Sequence, residues 1–179
     1  CLSRGLGDVY KRQILDLGTG SGCILLSLLK ECPLAEGTGV DVSPEALAVA
    51  RENAARLGVS GRCSFVNQSW SEWKPENEKW DMIVSNPPYI PHGDIAGLDA
   101  EVKDYDPHLA LDGGEDGYGC YREIASLVPL ILQKGGYILL ESGMGQAEDI
   151  MRIFSAQGLE TVAVIPDLAG INRCVILKK

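Results

Sequence analysis

The sequence has no uninterrupted apolar run near the roughly 20 residues that a membrane-crossing helix needs. It also lacks any cluster of positive charge. The formal net charge is -9, and no run of Lys and Arg is longer than Lys178-Lys179. Nucleic-acid binding by wholesale phosphate neutralisation is therefore disfavoured, and a protein or small-molecule substrate is easier to accommodate. The six cysteines form no C-x-x-C pair, and His92 and His108 are the only histidines, so no metal site is expected. Cys23 and Cys174 sit in apolar stretches and read as free buried thiols of a reducing, cytoplasmic environment. Residues 1–12 hold no apolar block of the kind a secretory signal carries. They read as a disordered leader or an assembly scar, ahead of one domain over residues 13–179. A chain of 179 residues buries roughly 70% of its unfolded surface, enough for one core.

From residue 13 onward, short β-type runs alternate with helical patterns, which predicts an α/β fold: a mostly parallel sheet with helices on both faces. The first strand is Ile14-Leu15-Asp16-Leu17, followed by a glycine-rich turn and a helix from about Cys23 to Lys30. A second strand reaches Gly39-Val40-Asp41-Val42. The next helix has Ser43 as N-cap, Pro44 at its first position and Gly58 past its end. Leu47, Ala50, Ala54 and Leu57 are expected to form its buried stripe. Strands are predicted at Cys63–Val66 and Trp80–Val84, then a helix from about Tyr121 to Gln133 and a strand from Gly136 to Glu141. A helix from about Gly145 to Gln157 follows, and two closing strands near 160–165 and 173–178 are expected to pair as an antiparallel hairpin at one edge. Residues 86–119 are rich in Pro and Gly, and so long a connection in a compact domain is usually a binding loop or lid.

Open parallel sheets bind ligands beyond the carboxyl ends of their strands. Gly18, Thr19, Gly20, Ser21 and Gly22 lie at one such end and Asp41 at the next. The glycines let a ligand approach the backbone and meet N–H groups at a helix N-terminus. Asp41 is spaced to accept from two ribose hydroxyls. Dinucleotide-binding domains share this layout, but their G-x-G-x-x-G/A fingerprint, started at Gly18, meets Cys23 where Gly or Ala belongs. Asp16 is a poor neighbour for a pyrophosphate and a good one for a cationic ligand carrying an ammonium and a sulfonium.

These residues resemble the first motif of class I S-adenosylmethionine methyltransferases. The resemblance implies a Rossmann-like, three-layer αβα fold with a seven-stranded sheet. It also implies S-adenosylmethionine as cofactor, its methionine part against the glycine turn, its ribose on Asp41, and its adenine beside Ser69 and Trp70.

Asn86-Pro87-Pro88-Tyr89 directly follows the fourth strand. An amide or aromatic amine is a poor nucleophile because its lone pair is delocalised. Two acceptors, the Asn86 side-chain carbonyl and the Pro87 main-chain carbonyl, can each take one N–H of an NH2 group and hold that lone pair toward a methyl donor. The prolines stiffen the turn, and Tyr89 offers a flat wall. This motif occurs in enzymes that methylate adenine N6, guanine N2 and glutamine N5. The wider set is more discriminating: Ile83 through Pro91, Glu101-Val102, Asp106-Pro107, Gly113-Gly114, Asp116-Gly117, Leu140-Glu141-Ser142-Gly143 and Asp167-Leu168-Ala169-Gly170 with Arg173. Together they resemble the HemK/PrmC-type protein-glutamine methyltransferases over about residues 13–178.

That likeness implies transfer to the Gly-Gly-Gln glutamine of class 1 peptide chain release factors as partners. Asp106, Ser69, Pro166 and Asn172 depart from the family's usual residues, and none of them touches the motif at 86–89. The resemblance implies a small helical N-terminal domain in the family, for which no counterpart is expected in this sequence. The expectation is a catalytic domain that binds cofactor with weak or no turnover on full-length release factor. The alternatives are a DNA or RNA amino-methyltransferase, against which the lack of a basic patch counts, and a cofactor-binding module without activity.

Overall fold

The structure, a computed structural model, describes residues 12–73, 79–99 and 107–179. Residues 1–11, and Glu101, Val102 and Asp106 of the family-like set, lie outside the described residues. The chain divides into two compact units, Cys1–Val84 and Ser85–Lys179.

The first unit begins with β1 (Gln13–Leu17), whose Ile14, Leu15 and Leu17 are all buried. Burial of consecutive residues marks a strand covered on both faces. Helix α1 (Cys23–Glu31) buries Leu25, Leu26 and Leu29, one helical stripe. Strand β2 (Glu36–Asp41) pairs parallel with β1, and β3 (Cys63–Asn67) pairs parallel with β2. Strand β4 (Trp80–Ser85) is the other neighbour of β1. The N–H of Gln13, first in β1, donates to Asp81 Oδ2, second in β4, at 2.7 Å. Neighbouring strands that start together run in the same direction.

Helix α2 (Pro44–Leu57) has the predicted ends: Ser43 Oγ accepts the Ala46 N–H, and Gly58 takes the left-handed conformation at φ 71°. Its stripe differs at one position. Leu47, Ala50 and Ala54 are buried, but Leu57 is 40% exposed. Each residue turns the helix by about 100°, so ten residues past Leu47 the side chain has rotated to the flank. Val59 takes the core position instead. Its N–H reaches the Ala54 carbonyl at 3.0 Å, the closing bond of a Schellman motif, and its side chain joins Leu25, Leu26, Leu29 and Ala54 in one cluster.

In the second unit, helix α3 (His108–Leu111) is a single turn. Helix α4 (Gly119–Ile131) buries Tyr121, Ile124, Ala125, Val128 and Ile131. It starts and ends about two residues earlier than expected, and β5 (Leu132–Glu141) follows it directly. The start of β5 is held from the far end of the chain. Gly135 donates to the Lys179 carbonyl, and Lys179 Nζ donates to the carbonyls of Pro129 and Leu132 at 2.5 and 2.6 Å. The ammonium thereby satisfies orphan carbonyls at a helix C-terminus. Helix α5 (Ala147–Ser155) precedes β6 (Glu160–Pro166) and β7 (Asn172–Lys178). β7 pairs antiparallel with both β5 and β6, which makes the predicted hairpin. The full order is β3-β2-β1-β4-β5-β7-β6, so β6 is the edge strand.

The cysteine reading is corrected. Cys23 is exposed, and Cys32, Cys63, Cys120 and Cys174 are only partly buried, although all five are free. At Cys23 the cause is helical geometry: Leu25, Leu26 and Leu29 occupy the inward stripe.

Candidate active site

The turn after β1 is built on left-handed glycines, with φ of 72° at Gly18, 55° at Gly20 and 80° at Gly22. A side chain is strained at such angles. A Cβ on Gly18 would also stand 3.0 Å from the Trp70 ring, whereas one on Gly20 would meet nothing within 4 Å. Trp70 therefore packs against the turn, and the Gly20 α-carbon faces open space. Gly39 is required as well, because a Cβ there would lie 2.8 Å from the Thr19 side chain.

Four of the five N–H groups of this turn are engaged within the protein. Gly18 and Thr19 both donate to the Val40 carbonyl, and Gly22 to the Thr19 carbonyl. Gly20 donates to Asp41 Oδ2 at 2.7 Å. Ser21, exposed, accepts from Asn53 Nδ2 through its carbonyl. The N–H groups of Ser21, Cys23 and Ile24 have no acceptor among the described residues.

Asp41 carries a structural duty besides any ligand role. Its Oδ1 accepts the Ser43 N–H at 2.9 Å while Oδ2 holds Gly20. Each carboxylate oxygen accepts two hydrogen bonds, so one site on each remains.

Asp16 is 1% exposed. Its Oδ2 accepts the Thr19 hydroxyl at 2.7 Å and the Leu25 N–H at 3.3 Å, but Oδ1 is buried with no partner. Burial raises its carboxyl to about 6, partly offset by those two bonds and helped upward by the Asp41 charge. A buried carboxylate with one empty oxygen is suited to a cationic donor.

In the second unit, Asn86 is exposed, Pro87 buried, and Pro88 and Tyr89 partly buried. Asn86 begins where β4 ends. Neither the Asn86 side chain nor the Pro87 carbonyl has a hydrogen-bond partner among the described residues. The Tyr89 carbonyl, by contrast, accepts Gln146 Nε2 at 3.0 Å.

Described parts of the long loop are tied together by main-chain hydrogen bonds. Ile90 donates to the Leu111 carbonyl, Gly113 to the Ile90 carbonyl and His92 to the Gly114 carbonyl. His92 Nδ1 and Asp112 Oδ2 lie 2.7 Å apart across this pairing, and the hydrogen bond to His92 holds the Asp112 carboxyl below its ordinary range. A Cβ on Gly113 would stand 2.8 Å from the Tyr89 backbone, and one on Gly117 2.6 Å from the Tyr89 carbonyl oxygen. Sequence reasoning noted Gly113 and Gly117 only as points of likeness and missed Gln146. No local pattern marks a glutamine at a helix start as the partner of a loop 57 residues away.

The first unit holds a buried carboxylate with one empty oxygen beside a glycine turn, and the second holds two acceptors, Asn86 Oδ1 and the Pro87 carbonyl, that have no partner among the described residues. A family described as "Methyltransferase domain" matches residues 10–162, and this chain belongs to it. Within that class, the chain is similar to the release factor glutamine methyltransferases. It is 46% identical over 93% of its length to that of Rhodospirillum rubrum, and 48% over 90% to that of Cereibacter sphaeroides. It covers 51% and 58% of those proteins, so it spans about half the length of the curated relatives it matches. Among solved structures, TrmN from Thermus thermophilus superposes with a TM-score of 0.65 at 21% identity, covering 94% of this chain and 44% of that one. A methyltransferase from Pyrococcus furiosus gives 0.68 at 17%, covering 94% and 75%. At that identity the likeness shows the fold: a Rossmann-like sheet with an antiparallel edge hairpin.

Proposed function

We propose that the chain transfers a methyl group from S-adenosylmethionine to the side-chain nitrogen of the glutamine in the Gly-Gly-Gln motif of class 1 peptide chain release factors, in the cytoplasm. The observation that carries this reading is a pair of acceptors at the end of β4, Asn86 Oδ1 and the Pro87 carbonyl, that have no partner among the described residues and stand on a stiff Pro-Pro turn. Two acceptors at adjacent positions match the two N–H bonds of a primary amide. The similarity to release factor glutamine methyltransferases supports glutamine as the amide. Among the described residues no helix is long and apolar enough to cross a membrane, and no group of three or more His, Cys, Asp and Glu could hold a metal.

The residues of the first unit fit the cofactor. Asp16 Oδ1 is a buried acceptor lacking a donor, suited to the ammonium of the methionine part, and the open face of Gly20 admits a ligand without a Cβ in the way. The remaining acceptor sites of Asp41 suit two ribose hydroxyls, and Trp70 offers an aromatic face beside Gly18. When bound, the cofactor supplies an electrophilic methyl carbon on a sulfonium that departs as a neutral thioether. Asn86 and Pro87 orient the amide nitrogen so that its lone pair faces that carbon. With the cofactor bound, Asn86 and Pro87 would hold the N–H bonds of the amide in place, and the proton lost from nitrogen as the methyl group is taken up would pass to solvent. Alignment supplies most of the rate effect, because the leaving group needs no acid. Tyr89 walls the planar amide.

The test is to incubate the chain with isotope-labelled S-adenosylmethionine and release factor, then map the label by mass spectrometry. One methyl on the Gly-Gly-Gln glutamine, formed at a slow rate, is expected. Label on another residue, or on nucleic acid in a parallel incubation, would overturn the assignment. In Asn86→Ala, turnover should fall by roughly 10² while cofactor affinity stays within error.

A further inference from the structure

We infer that Gln146 is a positioning residue for the reactive loop, holding Asn86-Pro87-Pro88-Tyr89 in register through the main chain of Tyr89; this rests on the role proposed for that loop. Gln146 occupies the N-cap position of α5 but makes no side-chain cap. Residues at that position usually turn back to satisfy the first helical N–H groups. Here both ends of the amide are engaged elsewhere. Oε1 accepts the Gly143 N–H at 3.0 Å, and Nε2 donates to the Tyr89 carbonyl at 3.0 Å.

The surroundings leave room for this arrangement and little else. A Cβ on Gly143 would stand 2.5 Å from Gln146 Oε1 and 2.9 Å from the Tyr89 ring. One on Gly117 would stand 3.0 Å from Gln146 Nε2. Three chain segments thus press on one side-chain amide, each through a glycine or a main-chain atom. The Gly143 end is itself anchored: Ser142 donates its N–H to the Arg173 carbonyl at 2.9 Å and accepts from Arg173 Nη1 at 3.2 Å.

An amide is needed at position 146 because one partner is a donor and the other an acceptor. A carboxylate satisfies only the Gly143 N–H, and a hydrocarbon satisfies neither.

Two variants of the full chain separate positioning from support of the turn. Backbone hydrogen exchange is read at Ile90, Gly113 and Gly143. In Gln146→Leu all three amides should exchange at least tenfold faster. In Gln146→Glu at neutral pH, Gly143 should stay protected while Ile90 and Gly113 loosen. Both variants should lower kcat for a Gly-Gly-Gln peptide at least tenfold with KM for S-adenosylmethionine unchanged. Unchanged exchange at Ile90 and Gly113, or loosening without loss of kcat, would overturn the inference. If the wild-type chain methylates no glutamine, the proposed function fails, and the exchange pattern alone decides the clamp.

Discussion

Asp16→Asn should make the unliganded protein more stable and a poorer binder of S-adenosylmethionine. The wild-type carboxyl sits at about 6 against an ordinary 3.8, with burial the main cause. A folded value above the unfolded one means that the group favours the fold fully below about pH 4. That contribution is lost as the pH rises through 6. The difference of about 2 units corresponds to about 3 kcal/mol, carried at neutral pH as the burden of an ionised group out of water.

Asn keeps an acceptor for Thr19 and Leu25 and carries no charge, but its bonds are weaker than those to a carboxylate. A net gain of about 1–3 kcal/mol at pH 8 is expected, a rise in Tm of roughly 3–10 °C. Thermal unfolding followed from pH 8 to pH 4 is the assay. The advantage of the variant should shrink steadily below pH 6 and vanish near pH 4. Binding should move oppositely, because the amide NH2 would present a donor where Oδ1 offers an acceptor. Calorimetry should show affinity reduced by roughly tenfold or more at pH 8. A variant that is less stable than wild type at pH 8, or one that binds the cofactor equally well, would refute both the burial argument and the role of Oδ1.

Gly113→Ala should destabilise the protein by about 1–3 kcal/mol and depress turnover, because the added carbon meets Tyr89 backbone rather than a yielding side chain; chemical denaturation and a methyl-transfer assay read the two effects. Asp41→Ala should weaken cofactor affinity by roughly tenfold or more and also speed exchange of the Gly20 and Ser43 amides, since both lose their acceptor. Ser43→Ala should cost about 1 kcal/mol of stability without altering cofactor affinity, because its hydroxyl caps α2 through Ala46.

Local signals in the sequence located elements better than they located contacts. Ser43, Pro44 and Gly58 define α2 to the residue because each acts on its own backbone. The alternation of strands and helices yields the sheet, and the glycine turn announces its left-handed backbone. Leu57 and the start of β5 went otherwise because each depends on something distant: rotation of a stripe past its flank in one case, and pairing with Lys179 in the other. The same division runs through the site. Residues 86–89 and 16–22 stand out as motifs by residue type and spacing alone. That the N–H groups of Gly18, Thr19 and Gly20 are already taken, and that Asp16 keeps one oxygen bare, depends on Val40, Asp41, Thr19 and Leu25 meeting in space.

The pairing of Ile90 and His92 with Leu111, Gly113 and Gly114 forms a narrow neck of main-chain hydrogen bonds. Tyr89 adjoins the Ile90 rung of that neck, and its carbonyl is held separately by Gln146. A substitution at a described residue beyond His92 therefore reaches the Tyr89 main chain only after loosening two independent sets of hydrogen bonds, so the backbone there should tolerate variation further out in the sequence.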